Sequence, residues 1–235
     1  ESCGAKLFFL FCPYNGILAP MDTLGKLFGS QARVKILRLF LLNPLEAFDA
    51  AMVAEKSKVR LADARRELSL IKSAGIIADK AFTKETISKR GSKKQKVYGQ
   101  AANKLIRKRV QGYQLKTSFP LLAPLKNLIV SETPLNRDEI VRRFRGVGKI
   151  KLLAISGIFL DESDSRVDVL IVGDNLKKRA IENALRSIEA EIGKELSYGA
   201  FETAEFLYRI SVYDKFVRDV LDFRHERVID KLGIE

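Results

Sequence analysis

The front of the chain alternates between apolar and polar positions with a helical period. Val34, Ile36, Leu37, Phe40 and Leu41, with Arg33, Lys35 and Arg38 between them, predict a helix over 32–42 that Asn43-Pro44 stops. Asp49 stands where it caps a short second helix running to about Glu55, and Ser57 where it caps a third running from about Arg60 to Ala74. Gly75 follows as the left-handed residue that closes that helix. Within it Leu61, Ala64, Leu68 and Ile71 form one apolar stripe, which turns Arg60, Asp63, Arg66 and Ser69 outward and leaves Arg65 at the margin. Ile76-Ile77-Ala78 then reads as a strand. Lys80 to Lys96, with Gly91 near the middle, reads as a hairpin that closes through Val97-Tyr98.

Behind the hairpin the pattern predicts a basic helix over 101–113 that Gly112 interrupts. A second apolar stripe of Leu121, Leu122, Leu125, Leu128 and Ile129 follows, bounded by Pro120 and Pro134. Asn136 caps a helix of about Arg137 to Arg145. Lys149 to Ile155 reads as a strand running into a Ser156-Gly157 turn, and Val167 to Asp174 as a mostly apolar central strand. A helix to Ile192, a strand over Leu196 to Phe201 and helices around Thr203 to Tyr208 and Asp214 to Leu221 complete the order. The expected class is α+β in two domains.

Charge separates the halves. The 235 residues carry 42 Lys+Arg against 29 Asp+Glu, a net +13. Residues 1–145 hold 28 basic and 12 acidic side chains, while residues 146–235 hold 14 and 17. Only the front has the sign of a polyanion binder. The hairpin concentrates it: residues 80–109 contain eleven cations and the single acid Glu85. Its apex carries Lys89, Arg90, Lys93 and Lys94, with Lys96 close behind, a group suited to phosphates or a narrow minor groove.

Two cysteines, Cys3 and Cys12, supply no disulfide framework, and no His, Cys or carboxylate group has metal-ligand spacing, so neither metal nor cofactor is expected. The apolar run Leu7 to Cys12 is too short to span a bilayer, and no membrane association is expected. Residues 1–20 read as an uncertain extension ahead of Met21, and the expected location is cytoplasmic.

Ser30-Gln31-Ala32-Arg33-Val34-Lys35-Ile36-Leu37, the segment Ala64-Arg65-Arg66-Glu67-Leu68 through Ala74-Gly75-Ile76-Ile77, and Val97-Tyr98 resemble the winged helix-turn-helix transcriptional regulators of the ArsR/MarR type. The resemblance implies a winged helix DNA-binding domain over 21–112, with the third helix in the major groove and the wing on flanking backbone. Arg60, Arg65 and Arg66 become base or phosphate contacts, and Lys89, Arg90, Lys93, Lys94 and Lys96 phosphate contacts. Double-stranded DNA is the implied partner, read by a homodimer. A helical connector occupies 113–134, and its apolar stripe is expected to pack on the rear domain or, the favoured of the two, on the same helix of a second chain.

The order of elements over 135–235 resembles the minimal nucleotidyltransferase fold, a small mixed-sheet α/β domain. Active members follow a Gly-Ser turn with two alternating carboxylates that hold Mg²⁺. Here the turn is inverted to Ser156-Gly157, Arg166 stands where the first carboxylate belongs, and Asp168 remains alone. The resemblance therefore implies a degenerate site with no catalytic residue and no metal, serving dimerisation, sensing or partner binding, with a nucleotide or a protein as its partner. Arg166 is expected to pair with Asp168 or, as the alternative, to take a nucleotide phosphate without metal, and Asp161, Glu162 and Asp164 read as a solvated acidic loop. Two rivals stand beside this regulator reading: an active nucleotidyltransferase, an antitoxin-type modifier directed by its winged helix, and a protein-interaction scaffold. His225, on a polar stretch with no assigned nucleophile, reads as surface.

Overall fold

The computed structural model describes residues 23–87, 105–130, 135–160, 162 and 165–233. Among them the chain is mixed α+β, with nine helices and two sheets. The front elements are α1 (Thr23–Leu27), α2 (Gln31–Leu42), β1 (Ala47–Phe48), α3 (Ala50–Lys56), α4 (Leu61–Ser73), β2 (Ile77–Ile87), β3 (Leu105–Leu115) and α5 (Leu122–Val130). The rear elements are α6 (Arg137–Arg143), β4 (Lys149–Ile155), β5 (Val169–Asp174), α7 (Lys178–Ile192), β6 (Tyr198–Glu202), α8 (Thr203–Ser211), α9 (Lys215–Asp222) and β7 (Glu226–Asp230). No helix among the described residues is long and apolar enough to cross a membrane.

Helix α2 is the axis of the front core. Ser30 caps it by accepting from the Arg33 amide, and residues on every side of it are buried, from Val34 through Leu41. A helix apolar all round needs neighbours all round, and α1, α3, α4, α5 and α7 each pack on α2. Phe40 and Phe48 meet edge to face at 5.6 Å, fixing β1 against it. The three strands lie in the order β1-β3-β2, all antiparallel.

Four expectations are corrected here. Residues 105–113 form strand β3, paired along its whole length with β2, where the sequence suggested a helix. The reason is Gly112. A Cβ there would stand 2.5 Å from the Phe48 carbonyl oxygen and 2.6 Å from the Phe82 ring, so the glycine admits the close approach of β1 to β3 and interrupts no helix. The partner of β2 is thus β3; Val97-Tyr98 lies outside the described residues. Second, Ser57 ends α3, its amide bonding the Val53 carbonyl, and Arg60 occupies the cap position of α4 without a side-chain bond. Third, Leu61 is 39% exposed, and Glu67 takes a place in the buried stripe with Ala64, Leu68 and Ile71. Fourth, Glu226–Asp230, to which the sequence reading assigned no element, adds the edge strand β7 to the rear sheet.

The rear unit has three layers. Its sheet runs β6-β5-β4-β7, with β5 parallel to β6 and the other neighbours antiparallel. Alternation along β4 and β5 divides their side chains between two cores. Leu153, Ile155, Val169 and Ile171 meet Ile140 and Phe144 of the α6 segment and Ile181, Leu185 and Ile188 of α7. Leu152, Ala154, Leu170 and Val172 meet Phe206 of α8 and Val217 and Val220 of α9.

The two units meet at the C-terminal end of α7. Gly193 ends that helix with φ +87°, and a Cβ there would lie 2.7 Å from backbone atoms of Arg38 and Leu39. Buried Arg38 donates through Nε to the Ile129 carbonyl at 3.2 Å and through Nη1 to the Glu191 carbonyl at 3.3 Å. Asn43 donates to the Gly193 carbonyl at 2.8 Å, and Lys35 pairs with Glu191 at 2.8 Å. Cations and amides thus satisfy carbonyls that a helix end leaves open.

Candidate nucleic-acid interface and the rear turn

Exposed cations stand on the outer face of α4 and on both faces of the β2–β3 hairpin. Thirteen residues make α4 a rod of about 20 Å. Its orientation is fixed from below: buried Glu67 accepts from Arg33 Nε at 2.7 Å, tying α4 to α2, while Arg33 also donates to the Phe28 carbonyl. Above that anchor, Arg60 is 86% exposed and bonds Asp63 at 2.7 Å. The hydrogen bond and charge of Asp63 hold its guanidinium above the ordinary value. Arg66 leans toward Asp63 at 3.5 Å and Glu67 at 3.6 Å. Arg65 is exposed and has no ion pair among the described residues. Asp63 and Glu67 are engaged by Arg60 and Arg66.

The hairpin adds cations that the sequence reading assigned to a connector helix. Cross-strand pairing sets Lys84 opposite Lys108, Thr83 opposite Arg109 and Glu85 opposite Arg107. Lys84 is held at 2.8 Å by Asp49, the cap of α3, and Arg107 by Glu85 at 2.9 Å. Burial raises the Asp49 pKa, but Lys84 and the Met52 and Ala51 amides outweigh it and hold the carboxyl below its usual range. Lys80, Lys108 and Arg109 are exposed and without an ion pair among the described residues. No local pattern decides the strand over Arg107-Lys108-Arg109; pairing with β2 places these residues. The apex residues Lys89, Arg90, Lys93, Lys94 and Lys96 lie outside the described residues.

The rear turn has a different character. Asp168 folds its carboxylate back onto the chain: Oδ1 accepts from the Ile158 amide at 2.9 Å, and Oδ2 accepts from the Ser197 amide at 2.8 Å and the Ser197 hydroxyl at 2.7 Å. Gly157 has φ +55°, and a Cβ on it would collide with Asp168 Oδ1. Only glycine lets the turn close over the carboxylate. Ser156 is buried, its amide bonded to the Asp168 carbonyl and its hydroxyl donating to the Arg224 carbonyl at 2.6 Å. Arg166, the expected mate of Asp168, pairs instead with Asp219 of α9 at 2.6 Å. Its reach to α9 is open because both Asp168 oxygens are already engaged.

Ser156, Gly157 and Asp168 therefore converge, and Arg166 turns away. The arrangement joins the β4 turn to the start of β6, and it offers a divalent cation one partly engaged oxygen where several are needed. Among the described residues no three His, Cys, Asp or Glu side chains gather as metal ligands. Asp161 and Asp164 lie outside the described residues. His225 contacts the Phe223 carbonyl through Nδ1 at 2.9 Å and accepts from Arg227 through Nε2 at 3.3 Å. No protein-family model, curated protein or solved structure matches the chain.

Proposed function

We propose that this chain is a DNA-binding transcriptional regulator, with a winged helix-turn-helix at the front and a catalytically degenerate nucleotidyltransferase-like domain at the rear. The observation that carries the reading is the exposed face of α4, with Arg60, Arg65 and Arg66, standing beside a long antiparallel hairpin that presents Lys80, Lys108 and Arg109. The front order of helix, short strand, two helices and hairpin supports the winged-helix reading. In this reading α4 lies in the major groove and the hairpin follows the phosphates, each neutralised phosphate releasing counterions.

The rear sheet, with β4 and β5 antiparallel and β6 parallel to β5, supports the nucleotidyltransferase-like reading. The engagement of Asp168 by Ile158 and Ser197 supports its loss of catalysis. A homodimer is part of the proposal: α5 buries Ile129 against the front core, yet Leu121 just before it is 62% and Leu128 within it 47% exposed, an apolar edge suited to a second copy.

The test is an electrophoretic shift of residues 21–235 on DNA upstream of the coding sequence against random duplex, at two salt concentrations. Sequence-preferring binding with a steep salt slope is expected. A Lys89/Arg90/Lys93/Lys94→Ala variant should lose affinity on every duplex, and an Arg65→Ala variant should lose preference. Absence of binding to either duplex would overturn the proposal.

A further inference from the structure

The rear unit is acidic as a whole, yet it gathers cations at one end. Of the 14 Lys and Arg in 146–235, six stand on the segments around the start of β4: Lys149, Lys151, Lys177, Lys178, Arg179 and Lys231. Arg145, at the end of the α6 segment, joins them. Backbone contacts hold these segments together. A Cβ on Gly148 would stand 2.8 Å from the Asn175 carbonyl oxygen, so the loops before β4 and after β5 lie backbone to backbone, and the Lys177 amide donates to the Val147 carbonyl at 2.8 Å. The Lys231 amide donates to the Lys151 carbonyl at 2.8 Å, which ties the end of β7 to the same place. This end of the sheet is opposite the Asp168 turn, about 20 Å along β4. It is also about 22 Å, the length of α7, from the junction with α2.

A recess of about 510 Å³ opens between the β4 segment and the end of β7, and its lining holds Arg145, Lys149, Lys151 and Lys231 with no carboxylate. The rest of the lining is Val141, Phe144, Ile150, Ile229 and two glycines. The acids nearby are engaged elsewhere or stand apart. Asp174, opposite Lys149 in the sheet register, is taken by Lys151 at 3.0 Å, and Asp230 by Arg227 at 2.9 Å. Glu202 accepts from the Asn175 and Leu176 amides, and Glu182, four residues after Lys178, forms no ion pair with it. Among the described residues Arg145, Lys149, Lys177, Lys178, Arg179 and Lys231 are thus exposed cations without an ion pair. Helix α7 makes the point sharper. It has no acid in its first turn and opens on Lys177, Lys178 and Arg179, at the end where the helix dipole disfavours cations. Folding gives no reason for that choice, whereas a partner of opposite sign does.

We propose that this end of the rear unit is a second nucleic-acid surface, which takes the phosphate backbone of a duplex without regard to sequence. Each exposed cation brought to a phosphate releases counterions, so the charges need no burial to contribute. The shape favours a nucleic acid over an anionic bilayer: a phosphate backbone is a ridge that enters a recess, while a bilayer meets only what projects. No exposed large apolar side chain among the described residues lies on these segments to insert into lipid. The surface goes beyond DNA reading by α4 and stands without it, since no residue of the front unit takes part.

The experiment follows the fluorescence anisotropy of a labelled random-sequence duplex with the full chain over a series of salt concentrations. Lys149/Lys177/Lys178/Lys231→Gln should weaken binding about tenfold or more at low salt and reduce the salt slope by about 2. The same loss should appear when these changes are added to Lys89/Arg90/Lys93/Lys94→Ala, and it should leave any sequence preference intact. A charge-matched variant elsewhere on the rear unit, Lys194/Lys215/Arg218/Arg224→Gln, should change affinity less than about threefold. The melting temperature of the first variant should not fall, because the cations it removes from α7 oppose the helix dipole. Lys231→Gln, outside every helix, repeats the test alone and should reduce the slope by about 1. Parent affinity and slope in the first variant, or an equal loss in the charge-matched one, overturns the proposal. So does a rear variant that keeps duplex binding but loses sedimentation with vesicles of equimolar phosphatidylserine and phosphatidylcholine, which would assign the surface to a membrane. Sequence preference is read only by the front variants, so either reading can fail while the other stands.

Discussion

Asp168 gives the sharpest test of what the rear unit is. Replacing it by alanine removes a carboxylate that accepts from one half-buried amide, Ile158, and from the amide and hydroxyl of Ser197 at a more exposed position. Hydrogen bonds to a charged acceptor contribute about 1.5–3 kcal/mol each, and the Ser197 groups recover part of theirs from water, so Asp168→Ala should cost about 2–4 kcal/mol. Asp168→Asn keeps the volume but turns an amide NH₂ toward a backbone N–H, and should cost about half as much. Urea unfolding followed by far-ultraviolet circular dichroism reads this directly. With a slope of about 2 kcal/mol per molar urea, a loss of about 3 kcal/mol moves the midpoint by about 1.5 M. The companion assay is incorporation of labelled nucleotide with Mg²⁺ present. A midpoint unmoved in Asp168→Ala, or a robust incorporation abolished by Asp168→Asn, would refute the view that this carboxylate braces the β4 turn against β6 and does no chemistry.

Other outcomes follow from the geometry. Gly193→Ala combines a left-handed backbone with a Cβ 2.7 Å from the α2 backbone; it should cost about 2–5 kcal/mol and speed proteolysis between the units. Gly112→Val should part β1 from β3 and lower the melting temperature, since its Cβ meets the Phe48 carbonyl. Asp49→Ala should cost about 1 kcal/mol at neutral pH by uncapping α3. Because the Asp49 carboxyl is held below its usual range, its contribution is full above the ordinary carboxylate pKa and is lost as pH falls through the lowered value. The gap between the parent and Asp49→Ala in urea should therefore close in acid. Lys108→Ala with Arg109→Ala should reduce the salt slope of DNA binding by about 2.

How much of this was legible depended on whether a signal was local. Asp49 and Asn136 are caps readable from one residue and its distance to an apolar run, and both accept from the expected amides, Met52 and Glu139. Gly75 takes the left-handed φ of +78° that a helix end calls for. β3 was not readable in that way. Its Arg-Lys-Arg run has no helical or strand preference strong enough to decide, and the role of Gly112 depends on Phe48, far away in sequence. Ser57 was ambiguous because one serine serves a helix end or a helix start equally well on paper. At the rear, sequence brought Ser156, Gly157 and Asp168 together correctly as a group. The true mate of Arg166 lies in α9, and no spacing rule connects residues so distant.

The guanidinium of Arg38 has a consequence for how the chain is made. It is buried in a helix that leaves the ribosome early, yet one of its acceptors is the carbonyl of Glu191, 153 residues downstream. Until that residue emerges, the Arg38 guanidinium lacks one of its acceptors, and α2 stays wet on one side. The front unit thus matures only with the end of α7, and a chain truncated before residue 191 should bind chaperones more than its own three-stranded sheet would suggest.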